Sequence, residues 1–249
     1  MATDPAPRLP PASPSAERRG NTASSAEVGA MFDRIAGVYD PLNAVISGFQ
    51  EPRWRHRLVA ATKIGPGMSV LDVATGTGAV ARDLARRVGP TGDVLGVDLS
   101  AGMIARAVAH AGNPAHLRFE QGDALALPVA DGSFDAATIA FGMRNLPNYA
   151  GGFAEMARAV GPGGIVACLE IARPATVVGR LGRVWFERVV PRLGQLAGQG
   201  DAYRYLVTSV RAYPPPEEIA SIMRGVGLLD VRWIPMTFGM VTLHTGRRG

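Results

Sequence analysis

The apolar run at residues 68–74 ends in Thr75-Gly76-Thr77-Gly78 and passes directly into a helical pattern at 79–88. This junction limits the fold more than any other feature of the chain. A strand that feeds paired glycines and then a helix needs a backbone that turns tightly and lies close to a ligand, which a residue without a Cβ allows. The same rhythm recurs. Strands are expected at 93–99, 117–121, 134–140 and 165–170, with helices at 101–111, N-capped by Ser100, and at 149–160. Alternation of this kind gives a parallel sheet with helices on both faces. A helix at 216–226 and strands at 229–234 and 238–244, an antiparallel pair joined across 235–237, bring the sheet to seven strands.

The remaining segments set the domain plan. Residues 1–25 are rich in Pro, Ala and Ser, lack the apolar stretch of a signal peptide, and read as a disordered tail. Residues 26–249 read as one domain, opening with helical pieces over 27–62 broken at Pro41, Gly48 and Pro52. Residues 171–213 carry no strand pattern and read as a helical insertion that caps the sheet. There Arg173, Arg180, Arg183, Arg188 and Arg192 face only Glu187, while Leu181, Val184, Trp185 and Val189 recur at helical spacing. Two readings stay open for this insertion: a lid or homodimer contact, and a face that meets anionic lipid.

Composition excludes several classes. The net charge of +5 is carried almost wholly by arginine, with Lys63 the only lysine, and no basic stripe interleaved with aromatics is present. Nucleic acid is therefore not the expected partner. The single cysteine, Cys168, allows no intramolecular disulfide and sits in an apolar run as a core residue. No Cys/His spacing suits a metal. No apolar run is long enough to span a bilayer, so the expected place is the cytoplasm, with the inner membrane face as a docking surface.

The Gly76-x-Gly78 loop has three readings: a turn without a ligand, a dinucleotide site, and an S-adenosylmethionine site. A lone G-x-G is weak evidence. Asp98 ends the second strand and suits the ribose hydroxyls in either ligand-bearing case. Two features favour S-adenosylmethionine. Asp72 lies inside the first strand, ahead of the glycines, and Asp123-Ala124 follows the third strand, where a carboxylate can accept from an adenine amino group. A sulfonium also needs no phosphate cradle, and Ala81 stands at the third glycine position of the dinucleotide fingerprint.

Four segments narrow the reading. Met31-Phe32-Asp33-Arg34-Ile35-Ala36-Gly37-Val38-Tyr39-Asp40-Pro41-Leu42-Asn43 and Phe141-Gly142-Met143-Arg144-Asn145 flank the predicted site. Pro191-Arg192-Leu193-Gly194, with Asp201-Ala202-Tyr203-Arg204-Tyr205-Leu206 and Ser209-Val210-Arg211-Ala212-Tyr213-Pro214, lies in the insertion and at its end. From Met31 onward the chain resembles the quinone-biosynthesis C-methyltransferases, which act in menaquinone and ubiquinone synthesis. The resemblance implies a class I S-adenosylmethionine-dependent methyltransferase: a Rossmann-like, seven-stranded, mostly parallel sheet with a helical cap. It implies cofactor contacts at Thr77, Asp98, Asp123 and Ala124, beside Asp72, Gly76 and Gly78 of the loop. The chain departs from the family pattern at Ala79, where an acid is usual, at Asp123, where asparagine is frequent, and at Ala140, where serine is usual. A cofactor contact at Ala140 must then be through backbone.

The substrate so implied is a polyprenylated demethylquinol, demethylmenaquinol first, with the benzoquinol of ubiquinone synthesis or another phenolic lipid as the alternative. A ring carbon is a poor nucleophile unless its neighbouring hydroxyl loses a proton, so the protein must stabilise a phenolate and align two reactants. Arg144 is the candidate for that charge, since arginine stays protonated. Asn145 is expected to orient the same group and Tyr39 to bond or relay a proton from the quinol oxygen. Tyr203 and Tyr205 read equally as cap or core. His244 reads as structural, and His56, His110 and His116 as surface or packing residues without an acid partner. Two rivals remain: an NAD(P)-dependent oxidoreductase, disfavoured because no Tyr-x-x-x-Lys pair is present, and a non-catalytic partner protein that kept the fold.

Overall fold

The computed structural model describes residues 20, 24–37, 39–112, 114–172 and 200–249. Residues 1–19 and 21–23 of the tail, the arginine-rich part of the insertion and the Tyr203 side chain lie outside the described residues. In chain order the elements are α1 (Ser25–Ile35), α2 (Tyr39–Ile46), α3 (Glu51–Ala61), β1 (Ser69–Val73), α4 (Ala79–Val88), β2 (Asp93–Asp98), α5 (Ala101–Ala111), β3 (Leu117–Gln121) and β4 (Phe134–Ala140). A 3-10 turn (Met143–Asn145), α6 (Tyr149–Ala159), β5 (Val160–Ile171), α7 (Gly200–Ala212), α8 (Pro216–Gly225), β6 (Leu228–Met236) and β7 (Val241–Arg248) follow.

The strands form one sheet in the order β3-β2-β1-β4-β5-β7-β6. β1 to β5 are parallel, and β7 runs antiparallel between β5 and β6. The strand order reverses between β1 and β4. Open α/β sheets bind ligands in the crevice beyond the carboxyl ends of strands at such a point.

Alternation along the strands feeds two cores. Leu71, Val73, Leu95 and Ile139 face α6 and α8 through Phe153, Met156, Ile219 and Met223. Val70, Val94, Ala136 and Leu169 face the other way, onto Leu58 of α3 and Ala81, Leu84 and Val88 of α4. Burial on both faces explains why these strands read as near-continuous apolar runs.

Several boundaries differ from those expected, for local reasons. Pro41 and Pro52 do not break helices. They lie in the first turns of α2 and α3, where a missing N–H costs nothing. α1 begins at Ser25 because Ser24 and Glu27 form a reciprocal capping box. β5 starts at Val160, so the Gly161-Pro162-Gly163-Gly164 stretch belongs to the strand. The β6–β7 connection is Thr237–Gly239, with Phe238 at φ +57°, and β7 begins three residues later than expected. Among the described residues no helix is long and apolar enough to cross a membrane, and no group of three metal-ligating side chains is present.

Candidate active site

Two cavities open at the reversal point and share a wall made of Tyr39, Ala74, Gly76, Ala140 and Phe141. Ala74 (φ +51°) and Phe141 (φ +58°) end adjacent strands in the left-handed region, a conformation that side-chain-bearing residues adopt at a cost and that clusters at functional sites. Between them Gly142 comes so close to Ala74 that a Cβ on it would lie 2.6 Å from the Ala74 Cβ.

The inner cavity, about 680 Å³, is lined by Asp98, Leu99, Gly122, Asp123, Ala124 and Asn145, with Val28, Gly29 and Phe32 of α1 as its roof. Asp98 accepts from the Gly76 amide at 2.8 Å and the Ser100 amide at 2.9 Å. Burial raises its carboxyl above the usual range, and those two amides pull it back. Asp123 accepts from the Leu125 amide at 2.9 Å, which fixes one carboxylate oxygen. α1 is tied down by Asp33, which accepts from the Ser100 hydroxyl and from the Gly102 amide at 2.9 Å. No lysine or arginine lines this cavity among the described residues. An acid-lined chamber of this kind disfavours the pyrophosphate of a dinucleotide and suits an uncharged nucleoside with hydroxyl and amino donors.

The outer cavity, about 990 Å³, is mostly apolar: Ile46, Trp54, Val80, Phe141, Ile171, Leu206, Met240 and Val241 line it, with Asp72, Thr77 and Arg144 at its floor. Asp72 is buried in β1. It accepts from the Thr75 hydroxyl at 2.6 Å and from the Thr138 hydroxyl at 2.7 Å, Thr138 being its neighbour across β4. Burial pushes its carboxyl up to about 6, against the pull of those two hydroxyls. Thr77 donates to Asp40 at 2.8 Å.

Arg144 is buried and lines the outer cavity. Its Nη1 donates to Glu170 Oε1 at 2.7 Å and to the Phe141 carbonyl, and its amide donates to Glu170 Oε2 at 3.1 Å. Its Nε has no partner among the described residues. The pair with Glu170 keeps the guanidinium charged despite burial. Tyr39, in the shared wall, has its hydroxyl pushed up to about 12, chiefly by burial, with the Arg144 charge pulling the other way.

The structure thus gathers Asp72, Gly76, Thr77, Asp98, Asp123, Ala124, Ala140, Arg144, Asn145 and Tyr39 around one crevice. Gly78 lines neither cavity. It opens α4 at φ +76°, and a Cβ there would press on Phe119 and Ala107. Arg144 and Asn145 are adjacent in sequence but serve different chambers: Asn145 lines the inner one and accepts from the Tyr205 hydroxyl at 3.3 Å. His244 is buried, bonded to the Pro216 carbonyl at 3.0 Å, with its ring driven down to about 4 by burial. His110, expected to lack an acid, has Asp40 3.8 Å from its Nδ1 because the α2 start folds over α5. Sequence reasoning passed over Glu170 and Trp54. The signal for Glu170 was there: a lone acid closing a buried parallel strand at the active edge.

The strand order, the acid at the end of β2 and an inner chamber without lysine or arginine among its described lining residues fit a class I methyltransferase fold. A solved S-adenosylmethionine-dependent methyltransferase from Thermotoga maritima superposes with a TM-score of 0.65 at 18% identity, over 89% of this chain and 99% of that one. The chain is 42% identical over 218 residues to a demethylmenaquinone methyltransferase of Deinococcus radiodurans, covering 87% of this chain and 90% of the relative. A protein of the same name from Thermus thermophilus is 42% identical, over 88% of this chain and 100% of the relative. A ubiquinone/menaquinone biosynthesis C-methyltransferase of Geobacter sulfurreducens is 38% identical, over 88% and 87%. The family model of the ubiE/COQ5 methyltransferases matches residues 20–248, and the chain belongs to that family.

Proposed function

We propose that the chain transfers a methyl group from S-adenosylmethionine to a ring carbon of a polyprenylated demethylquinol, demethylmenaquinol first among them. One observation carries this reading: an acid-lined chamber and an apolar chamber share a wall at Tyr39, with a buried, charged arginine on the apolar side. The names of the relatives support the same substrate class.

The donor set fits the cofactor. Asp98 would hold the ribose hydroxyls, Asp123 and the Ala124 backbone the adenine edge, and Gly76, Thr77 and Asp72 the amino-acid arm, with Ala140 offering backbone alone. When bound, the cofactor supplies an electrophilic methyl group. The chain's own residues then do the rest. Arg144, held by Glu170, stabilises the phenolate of the neighbouring ring hydroxyl and takes no proton itself. Tyr39 remains protonated at neutral pH and donates to the quinol oxygen. Asn145 and Tyr205 brace the boundary between the chambers. The apolar walls exclude water and align the ring carbon with the methyl. The hydroxyl proton would leave to solvent before attack. The ring carbon–methyl bond would then form as the sulfur–methyl bond breaks, and loss of the ring proton to solvent with return of a proton to the oxygen would restore the aromatic quinol.

The purified chain, given methyl-labelled S-adenosylmethionine and a demethylmenaquinol in detergent, is expected to yield labelled menaquinol. Absence of label in that product, with the cofactor bound, would overturn the reading. A demethylated benzoquinol in the same assay tests the broader specificity that the name of the Geobacter relative carries.

A further inference from the structure

Beside the mouth of the outer cavity lies a face that the methyl-transfer reading does not use. Phe49, in the α2–α3 loop, is 70% exposed, and Phe238, in the β6–β7 connection, is 64% exposed. Both phenylalanines have their backbone in the left-handed region, at φ +59° and +57°, so each sits on a tight turn. The loops are stapled together. Trp54 Nε1 donates to the Thr237 hydroxyl at 2.9 Å, and that hydroxyl donates to Gln50 at 3.4 Å. Trp54 also lines the outer cavity, and so do Met240 and Val241, which follow the Phe238 turn. The rings therefore flank the entrance to an apolar chamber.

Charge completes the face. Trp54 and Leu58 turn α3 toward the sheet, and Arg55 points to Asp83 of α4 at 3.0 Å. Helical periodicity then puts Arg53 and Arg57 on the opposite flank, toward the β6 edge. On β6, Arg232 stands opposite Thr245 and Ile234 opposite Leu243, the register that shares α3's side of the sheet. Ile234 is 60% exposed. Arg53, Arg57 and Arg232 are exposed, and among the described residues none of them forms an ion pair. The nearby acids are engaged elsewhere, Glu51 with Arg55 and Asp230 with Arg247.

We propose that this face docks on an anionic lipid bilayer, with Phe49, Ile234 and Phe238 entering the headgroup region and Arg53, Arg57 and Arg232 meeting lipid phosphates. Exposed aromatics rimmed by unpaired cations suit that surface. A second copy added along the β6 edge fits less well. Pro235 lacks an N–H, the register shifts between Leu229 and Arg232, and Asp230 sits at φ +52°, all of which blunt the edge. Docking in this orientation turns the outer cavity toward the membrane, so a prenyl tail passes from bilayer to chamber without crossing water. The proposal deepens the quinol reading and rests on it only for the identity of the tail.

The test is flotation of the full chain with phosphatidylcholine vesicles, with and without phosphatidylglycerol, at low salt. Binding is expected only with the anionic lipid. It should fall about tenfold or more in Phe49→Ser/Phe238→Ser and, separately, in Arg53→Glu/Arg57→Glu, at about 1 kcal/mol per cation near the surface. Methylation of a tail-less quinol should stay at the wild-type rate in both. If the phenylalanine pair fails to fold, the arginine pair decides alone. No wild-type binding, equal binding by the variants, or a wild-type dimer that the variants dissociate while vesicle binding persists would each overturn the proposal. Failure of vesicle binding with quinol methylation intact breaks this docking face alone. Vesicle binding without quinol methylation breaks the substrate reading alone.

Discussion

The inner and outer chambers meet at the same residues but are built by different means. Beneath its α1 roof, the inner one is assembled from consecutive βα units: Gly76 follows β1, Asp98 ends β2 and Asp123 follows β3. Its polar groups are fixed by backbone amides of the same or the neighbouring unit, Asp98 by Ser100 and by Gly76 after β1, and Asp123 by the amide two residues on. The outer one draws on α2, α3, α7 and the β5–β7 edge, segments far apart in the chain. Among the described residues its buried cation, Arg144, depends on an ion pair that spans β4's end and β5. Local construction suits a part that only binds. Long-range construction lets a binding fold take on a particular substrate.

Apart from Asp72 and Thr77, which the proposal gives to the cofactor from the outer side, changes in the outer chamber should therefore strike turnover, and changes in the inner one affinity. The largest expected effect is in Arg144→Ala. Loss of one preorganised charge at a developing oxyanion typically costs about 10²–10³ in rate. Steady-state kinetics should show that fall, with the cofactor Kd changed by less than about threefold as read by calorimetry. Glu170→Gln should follow in the same direction. It also removes the counter-charge of a buried arginine, so thermal unfolding should report a loss of about 3 kcal/mol or more.

Next in size is Asp98→Ala. If Asp98 holds the ribose as proposed, loss of two charge-assisted bonds at roughly 1.5–3 kcal/mol each predicts a cofactor Kd weakened by about 10²-fold or more in calorimetry. An equal loss from Ala124→Gly, which keeps the backbone, would break the assignment of carboxylate recognition to Asp98.

Smaller, and specific in sign, is the pH dependence set by Asp72. Burial pushes its carboxyl up to about 6. A cationic sulfonium favours the ionised form, so cofactor affinity should be highest above pH 6 and decline as pH falls below it, approaching tenfold per unit at most. Asp98, also raised by burial, pulls in the same direction. Asp72→Asn should flatten the part of the profile near 6. For folding the sign is opposite. A carboxyl raised in the native state contributes stability that is present at acid pH and lost as pH rises through 6. The apo protein should thus gain relative stability over the same interval in which it loses its ligand.

The smallest effect is expected at Ala79, the first residue of α4 and part of the outer chamber. Ala79→Asp restores the acid usual in the family. It should stabilise the helix N-terminus by about 0.5 kcal/mol in thermal unfolding and move the cofactor Kd by less than about threefold. A larger change would make this position part of the binding machinery.

What could be read from sequence divides along the same line as the chambers. Asp72, Asp98 and Asp123 were legible because the first interrupts an apolar strand, the second ends one and the third follows the next strand, and such parallel strands all point their carboxyl ends to one edge. Arg144 was legible for the same reason. Its Glu170 partner was present in the pattern, but their contact depends on β4 lying beside β5, which periodicity does not give. The split of Arg144 and Asn145 between chambers was hidden too. It follows from the tight 3-10 turn at Met143–Asn145, which sends neighbouring side chains apart. Pro41 and Pro52 misled because proline ends a helix from inside but starts one from its first turn, and sequence alone does not say which.

The division of labour is tested most directly by single-turnover methyl transfer at saturating cofactor, with wild type, Asp98→Ala and Arg144→Ala side by side. Asp98→Ala should return to within several-fold of the wild-type rate once the cofactor site is filled, while Arg144→Ala stays about 10²-fold or more below it at every concentration. If Arg144→Ala is rescued by cofactor and Asp98→Ala is not, the two chambers do not have the roles assigned to them.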